Sequence, residues 1–203
     1  MTPVIGVTAQ LNHPLMPLDR GARYEDPLQD TLTARGLGEL DGGGTMQLPS
    51  GEIEYIDVEI QLTDLDRGIP IVIDRLEALG APKGSKLQIH DRTPPREIPF
   101  GRAEGVGIYL DGVNLPDEVY ATSDVNVVIE ELNGRLAGRG EMQSYWQGPT
   151  ETALYFYGDD AEKMKRLMAD FLASYPLCAG ARVVTVAPPV RHGGEPRHGE
   201  LRS

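Results

Sequence analysis

The chain carries its most suggestive chemistry on alternate positions. In "IEYIDVEIQL", residues 53–62, Asp57 and Glu59 stand two apart, and in "TALYFY", residues 152–157, so do Tyr155 and Tyr157. A β-strand turns successive side chains to opposite faces, so the members of each pair share a face. Neighbouring carboxylates can divide acid and base roles, hold a hard cation, or select a basic partner. Tyrosine rings add rigid contact area and faces that attract cations. Same-face carboxylates arise in acidic chains without catalysis, so the pairs read as recognition chemistry and no catalytic residue is assigned.

Other candidate motifs carry less. "GGG" at 42–44 and "GAPKGSK" at 80–86 each follow a helical segment and precede a strand, the reverse of the order a phosphate-binding glycine loop requires. The first reads as a bend or bulge and the second as a plain connection. His13, His90, His192 and His198 are scattered and have one cysteine between them, which provides no zinc set and no other metal site. Cys178, beside Pro176 and Leu177, reads as a buried thiol rather than a nucleophile. No cofactor is expected.

Composition bounds the partners. The 203 residues include 19 basic and 31 acidic side chains, a formal charge of −12 that repels nucleic acid and anionic lipid surfaces and favours a basic partner or cationic ligand. Both halves share the excess. No apolar run is long enough to span a bilayer, and "MTPVIGVTAQL" lacks the pattern of a signal peptide, so a soluble cytoplasmic protein is expected. A hydrophobic fraction of 40% is enough for a core in one large domain or two small ones.

An internal repeat decides between them. "GTMQLPSGEIEYIDVEIQLTD" (44–64) aligns with "GEMQSYWQGPTETALYFYGDD" (140–160), each with Gly-X-Met-Gln, a polar turn, a Glu and a tyrosine-bearing strand. The match continues outward to "VIGVTAQL" against "EGVGIYLDGV" and to "EDPLQDTLTARG" against "SDVNVVIEELNGRLAG". Each half reads as strand, amphipathic helix, hairpin, amphipathic helix, strand. Ser123 or Asp124, and Asp159 or Asp160, are placed as N-caps, with Gly138 and Pro176 as stops. The fold class is therefore α+β, with two tandem β-α-β-β-α-β (ferredoxin-like) units whose antiparallel sheets carry helices on one face. The units span 1–91 and 102–187, joined by a Pro-rich linker at 92–101 and followed by a flexible tail at 188–203.

The period of two then assigns the other face. Ile56, Val58, Ile60 and Leu62 point to the helices, leaving Tyr55, Asp57, Glu59 and Gln61 outward. Leu154 and Phe156 point in, with Tyr155 and Tyr157 out; Ile108 points in, with Tyr109 out. Met46 and Leu48 as inward residues put Thr45 and Gln47 outward, and the repeat extends this to Gln143 and Tyr145. Trp146 falls inward by the repeat, in a core or edge-packing place, while its position near the hairpin tip leaves an exposed placement open. Such a face can be solvated, can be where the two halves pack, or can bind.

The segments "VIGVTAQL", "GGGTMQ", "GEIEY", "GAPKGSKLQ", "WQGPTETALY" and "ASYPLCAGARVV" resemble a set of bacterial proteins of unassigned activity, which implies a bacterial protein and brings no site residues. Small acidic proteins of this look include immunity proteins that neutralise toxins. The duplicated architecture is also similar to the gyrase-inhibitor-like effector-binding domains, where an acid amid aromatics takes amphipathic, often cationic ligands. That resemblance implies such a part for Glu59 with Tyr109, Tyr155 and Tyr157. The resulting expectation is a non-enzymatic binding protein that holds a partner protein through Asp57, Glu59, Tyr109, Gln143, Tyr145, Trp146, Tyr155 and Tyr157. A small-molecule effector module using the cleft between the repeats is the alternative, and a hydrolase or isomerase a distant one. Two chains could also pair through exposed sheet edges.

Overall fold

The computed structural model describes residues 4–189. Strand β1 (Ile5–Leu11) leads through α1 (Pro17–Arg20) and a wider helical turn, Gly21–Glu25, into α2 (Asp26–Arg35). A hairpin of β2 (Gly38–Gln47) and β3 (Ile53–Leu62) follows, then α3 (Leu65–Ala78), β4 (Ser85–Ile89) and β5 (Arg96–Phe100). The second half runs β6 (Glu104–Asp111), α4 (Asp117–Thr122), α5 (Val125–Leu136), β7 (Gly140–Gln147), β8 (Glu151–Gly158), α6 (Ala161–Ser174) and β9 (Arg182–Ala187). No described helix is long and apolar enough to cross a membrane.

The strand orders are β2-β3-β1-β4-β5 and β7-β8-β6-β9. In both sheets the first strand of the unit lies between its third and fourth, which is the split βαβ arrangement repeated twice. The chain is thus α+β with two tandem ferredoxin-like units. The segment expected as a plain linker differs in its second half. Arg96–Phe100 turns back as β5 and pairs antiparallel with β4, which adds a fifth strand to the first sheet. His192, His198 and the expected tail beyond Pro189 lie outside the described residues.

The helices form where the sequence caps them. Asp64, Asp124 and Asp160 each accept a hydrogen bond from a backbone N–H in the first turn of α3, α5 and α6. Each helix pair buries its apolar stripe on one sheet face. Leu28, Leu32, Val72 and Leu76 meet Ile56, Val58 and Ile60 in the first unit. Val128, Leu132, Met164 and Met168 meet Val106, Ile108, Leu154 and Phe156 in the second.

A third cluster occupies the opposite face of the second sheet: Ala153, Tyr155, Tyr157 and Ala187, with Tyr109, Trp146 and Val186 packed against it. One end of the first unit covers it. The His13 ring packs at 4.4 Å against Tyr157, tilted by 54°, Asn12 Nδ2 donates to the Val186 carbonyl, and Tyr109 and Tyr155 reach Glu52. Two glycines of β6 make this possible: a Cβ on Gly105 would stand 2.6 Å from the Tyr157 ring, and one on Gly107 3.0 Å from that of Tyr109.

Bulges in two strands correct the phasing read from sequence. In β7 the register shifts between Met142 and Ser144, so the extra residue is Gln143. Beyond it Tyr145 lies opposite Leu154 and Trp146 opposite Ala153, the reverse of the expected faces. In β2 one shift falls between Leu40 and Gly42, so that Thr45 lies opposite Ile56 and Met46 opposite Tyr55, and another between Met46 and Gln47 sets Gln47, expected outward, opposite the buried Ile53. Thr45 therefore faces the helices, where Arg20 Nη1 donates to its hydroxyl, and Met46 takes the open face.

Helix α5 ends on Ala137 at φ 44°, ψ 56°, the left-handed conformation that usually falls to glycine. Replacing Ala137 by Gly removes the Cβ clash at some cost in chain entropy. The expected outcome is a stabilisation of roughly 0.5–1 kcal/mol in urea unfolding. A neutral or destabilising result would contradict the account of this helix end.

Candidate functional site

The open face of the first sheet is a polar ladder across four strands. Thr8 on β1 lies opposite Glu59 on β3 and Gln88 on β4, and Gln10 lies opposite Asp57 and Lys86. The Thr8 hydroxyl donates to Glu59 Oε2 at 2.9 Å and lies 2.8 Å from His90 Nε2. A hydroxyl has one proton, and it goes to the carboxylate, so Nε2–H of His90 is the donor in that contact. Lys86 Nζ and Gln88 Nε2 both donate to Glu97, whose carboxyl these bonds hold below its ordinary range. Gln61 donates to Asp41.

Asp57 is the member of this ladder left short. Its Oδ1 is buried and has no hydrogen-bond partner among the described residues. Burial raises the proton affinity of the carboxyl, the Gln10 side chain lowers it, and Glu59 beside it raises it again. A buried polar atom without a partner costs about 1–3 kcal/mol, which a donor from outside would recover.

The second concentration of charge and aromatic rings is the seam between the units. The Tyr109 and Tyr155 hydroxyls both donate to Glu52 Oε1, and Glu52 sits just past the tip of the β2–β3 hairpin. Burial, followed by the Glu52 carboxylate, pushes Tyr109 up to about 12 and Tyr155 further. The Arg182 guanidinium lies 4.3 Å from the Tyr109 ring centroid and makes two-nitrogen contact with Glu151. An acid amid aromatics is thus present, but it is Glu52 rather than Glu59, and a cation of the same chain already sits beside it. Deeper in the seam His13 Nδ1 and the Tyr24 hydroxyl are 2.8 Å apart. Burial depresses His13 well below the usual imidazole range, so it is neutral there.

The expected site residues divide between these places. Asp57 and Glu59 lie together on the first sheet's face, half-buried. Tyr155 and Tyr157 leave their own helices as the period required, yet each is 1% exposed because the first unit covers them, which corrects the expectation of open rings. Tyr109 and Trp146 pack at the margin of the same cluster. Tyr145 is 62% exposed, by itself at the sheet edge, and Gln143 is the bulge residue. Cys178 is a buried thiol that burial raises to about 11. Among the described residues, no group of three or more His, Cys, Asp or Glu is placed to hold a metal ion.

Sequence reading missed Thr8, His90, Glu52 and Arg182. One signal was available for the seam. The repeat places a Glu directly after each hairpin turn: Glu52, which bridges the units by accepting from Tyr109 and Tyr155, and Glu151, which holds Arg182 beside Tyr109 within the second unit.

No family model and no curated protein matches the chain. Among solved structures it is similar to an unknown protein from Galdieria sulphuraria, at 9% identity and TM-score 0.27 over 90% of this chain and 96% of that one. The ligand-free regulatory subunit of aspartate kinase from Thermus thermophilus matches at 14% identity and TM-score 0.26, over 83% and 97%. A glycine cleavage system transcriptional repressor matches at 13% and 0.29, over 90% and 95%. Scores this low carry no inference about activity.

The seam has a pH signature. Tyr109 rises from 10.0 in the open chain to about 12 when folded, so its contribution to stability is complete below pH 10.0 and is lost as pH climbs to about 12. Tyr24, Tyr155 and Tyr157 shift in the same direction. Urea unfolding measured across that window is expected to show a steep fall in stability that Tyr109→Phe makes shallower. An unchanged slope in the variant would contradict the burial of this hydroxyl against Glu52.

Proposed function

We propose that the protein is a non-enzymatic binding module that presents the open face of its first sheet to a basic partner protein, in the manner of an inhibitory or immunity protein. The observation that carries this reading is Asp57: a carboxylate with one buried oxygen unpartnered, on a face where Glu59, Thr8, Gln10 and Tyr55 stand around it. A lysine or arginine from a partner supplies the missing donor and meets a chain of formal charge −12, which also speeds encounter. An uncovered five-stranded sheet face suits an interface of about 800 Å² per partner better than enclosure of a small ligand.

Sealing of the second sheet's face supports the same choice. Tyr155 and Tyr157 are spent on holding the units together, and Glu52 already accepts two tyrosine hydroxyls with Arg182 close by. This favours a partner protein on the first sheet over an effector molecule in the cleft between the repeats.

The test is affinity capture from native lysate at low and at about 0.5 M salt, where screening shrinks to a few ångströms. Wild type is expected to retain a basic protein at low salt and to lose most of it at high salt. Asp57→Lys combined with Glu59→Lys should abolish capture, while Glu131→Lys on the exposed side of α5 leaves it intact. Equal retention by the Asp57 and Glu59 double variant, or no specific protein at either salt, would overturn the proposal.

A further inference from the structure

A titratable ring is buried between the two units. His13 follows β1, in the part of the first unit that covers the second sheet, and it is 0% exposed. Its ring lies 4.4 Å from that of Tyr157, itself 1% exposed, so one side of the imidazole is a contact between the units. Tyr24 and Arg23 face it from the Gly21–Glu25 turn and Tyr157 from β8, with Tyr109 of β6 beyond.

The closed seam suits this ring only without charge. Nδ1 has the Tyr24 hydroxyl at 2.8 Å, whereas Nε2 is buried with no hydrogen-bond partner among the described residues. A ring protonated on both nitrogens would leave one buried N–H without an acceptor. The neighbouring charge has the wrong sign as well. Arg23 is a cation, and Glu52, the carboxylate that bridges the units, accepts from Tyr109 and Tyr155. Burial, and then the Arg23 charge, depress the imidazole well below its ordinary 6.5. Parting the units lets water reach the side of the ring that Tyr157 covers. The helix-packed cores are separate clusters, and the seam cluster around Tyr155 and Tyr157 is distinct from both, so separation leaves each core intact.

We propose that His13 is an acid-sensitive latch: a proton taken up there parts the two units and bares Tyr155 and Tyr157, a surface distinct from the Asp57 face. The sign follows from which form holds the proton better. The open form takes it with the ordinary affinity of 6.5 and the closed form more weakly, so the closed form is fully favoured above pH 6.5. Below that, its ratio to the open form falls by about tenfold for each pH unit, down to the depressed value of the closed form.

Trp146 reports on the seam. It is the only tryptophan of the chain, it packs on the seam cluster, and its Nε1 stands 3.9 Å from the Cβ position of Gly51 in the first unit's hairpin turn. The test takes the full-length protein from about pH 7.5 to about pH 5 and follows three signals: Trp146 emission, far-UV circular dichroism, and hydroxyl-radical labelling of Tyr155 and Tyr157 relative to Tyr145. Emission is expected to move to the red and labelling of both tyrosines to rise at least about tenfold, with the circular dichroism unchanged. His13→Gln, which keeps an acceptor for Tyr24 and cannot become charged, should abolish both changes, whereas Glu52→Gln should leave them in place. Constant labelling in the wild type, a rise that persists in His13→Gln, or a rise that tracks loss of circular dichroism would overturn the proposal. If His13→Gln does not fold, the wild-type ring decides: its NMR resonances must titrate in step with Trp146 emission, and titration in a different pH range would overturn the latch.

Discussion

Covering of the second sheet's open face by the first unit is the constraint on which the rest depends. A ferredoxin-like unit buries one face of its sheet under two helices and leaves the other to be solvated, paired or used. Here the second unit's free face carries Tyr155 and Tyr157, and the end of the first unit closes over them. Each ring removed from water contributes about 1.5–3 kcal/mol, and the hydroxyl of Tyr155 keeps a partner by donating to Glu52. That closure selects the surface left for binding. Among the described residues, the sheet face left uncovered is the first unit's, with Asp57 and Glu59.

The two units have the same fold and have diverged in what their free faces do. In the second, glycines at 105 and 107 let the Tyr157 and Tyr109 rings approach β6 closely and make a packed surface. In the first, the corresponding face is built from Thr8, Gln10, Asp57, Glu59 and Lys86, and almost every polar group is matched within it. Asp57 Oδ1 is the buried acceptor on that face left without a partner among the described residues, and the proposed recognition role rests on it.

Much of this was legible in the sequence. Strict alternation in "IEYIDVEIQL" and "TALYFY" placed the core side of β3 and β8 correctly, because a sheet with one buried face tolerates no slip. The internal repeat pointed to the strand order, and two of the three capped helix starts, those of α5 and α6, were marked in the sequence. The bulge in β7 was not legible: its extra residue is Gln143, with no glycine to announce it, and one added residue reverses every assignment up to Trp146. Contacts made across long sequence separations were equally hidden. Thr8 meets His90 82 positions away, and Glu52 meets Tyr155 103 positions away, and neither pair has a local pattern. The tyrosines were found, but nothing in their own strand says that another unit covers them.

Hydroxyl-radical footprinting of the tyrosines measures that covering directly. The account predicts strong labelling of Tyr145, which is 62% exposed, and protection of Tyr155 and Tyr157 at 1%. Labelling of Tyr155 and Tyr157 at rates like that of Tyr145 would contradict it, because the second sheet's face would then be open and the first would have no special claim to the partner.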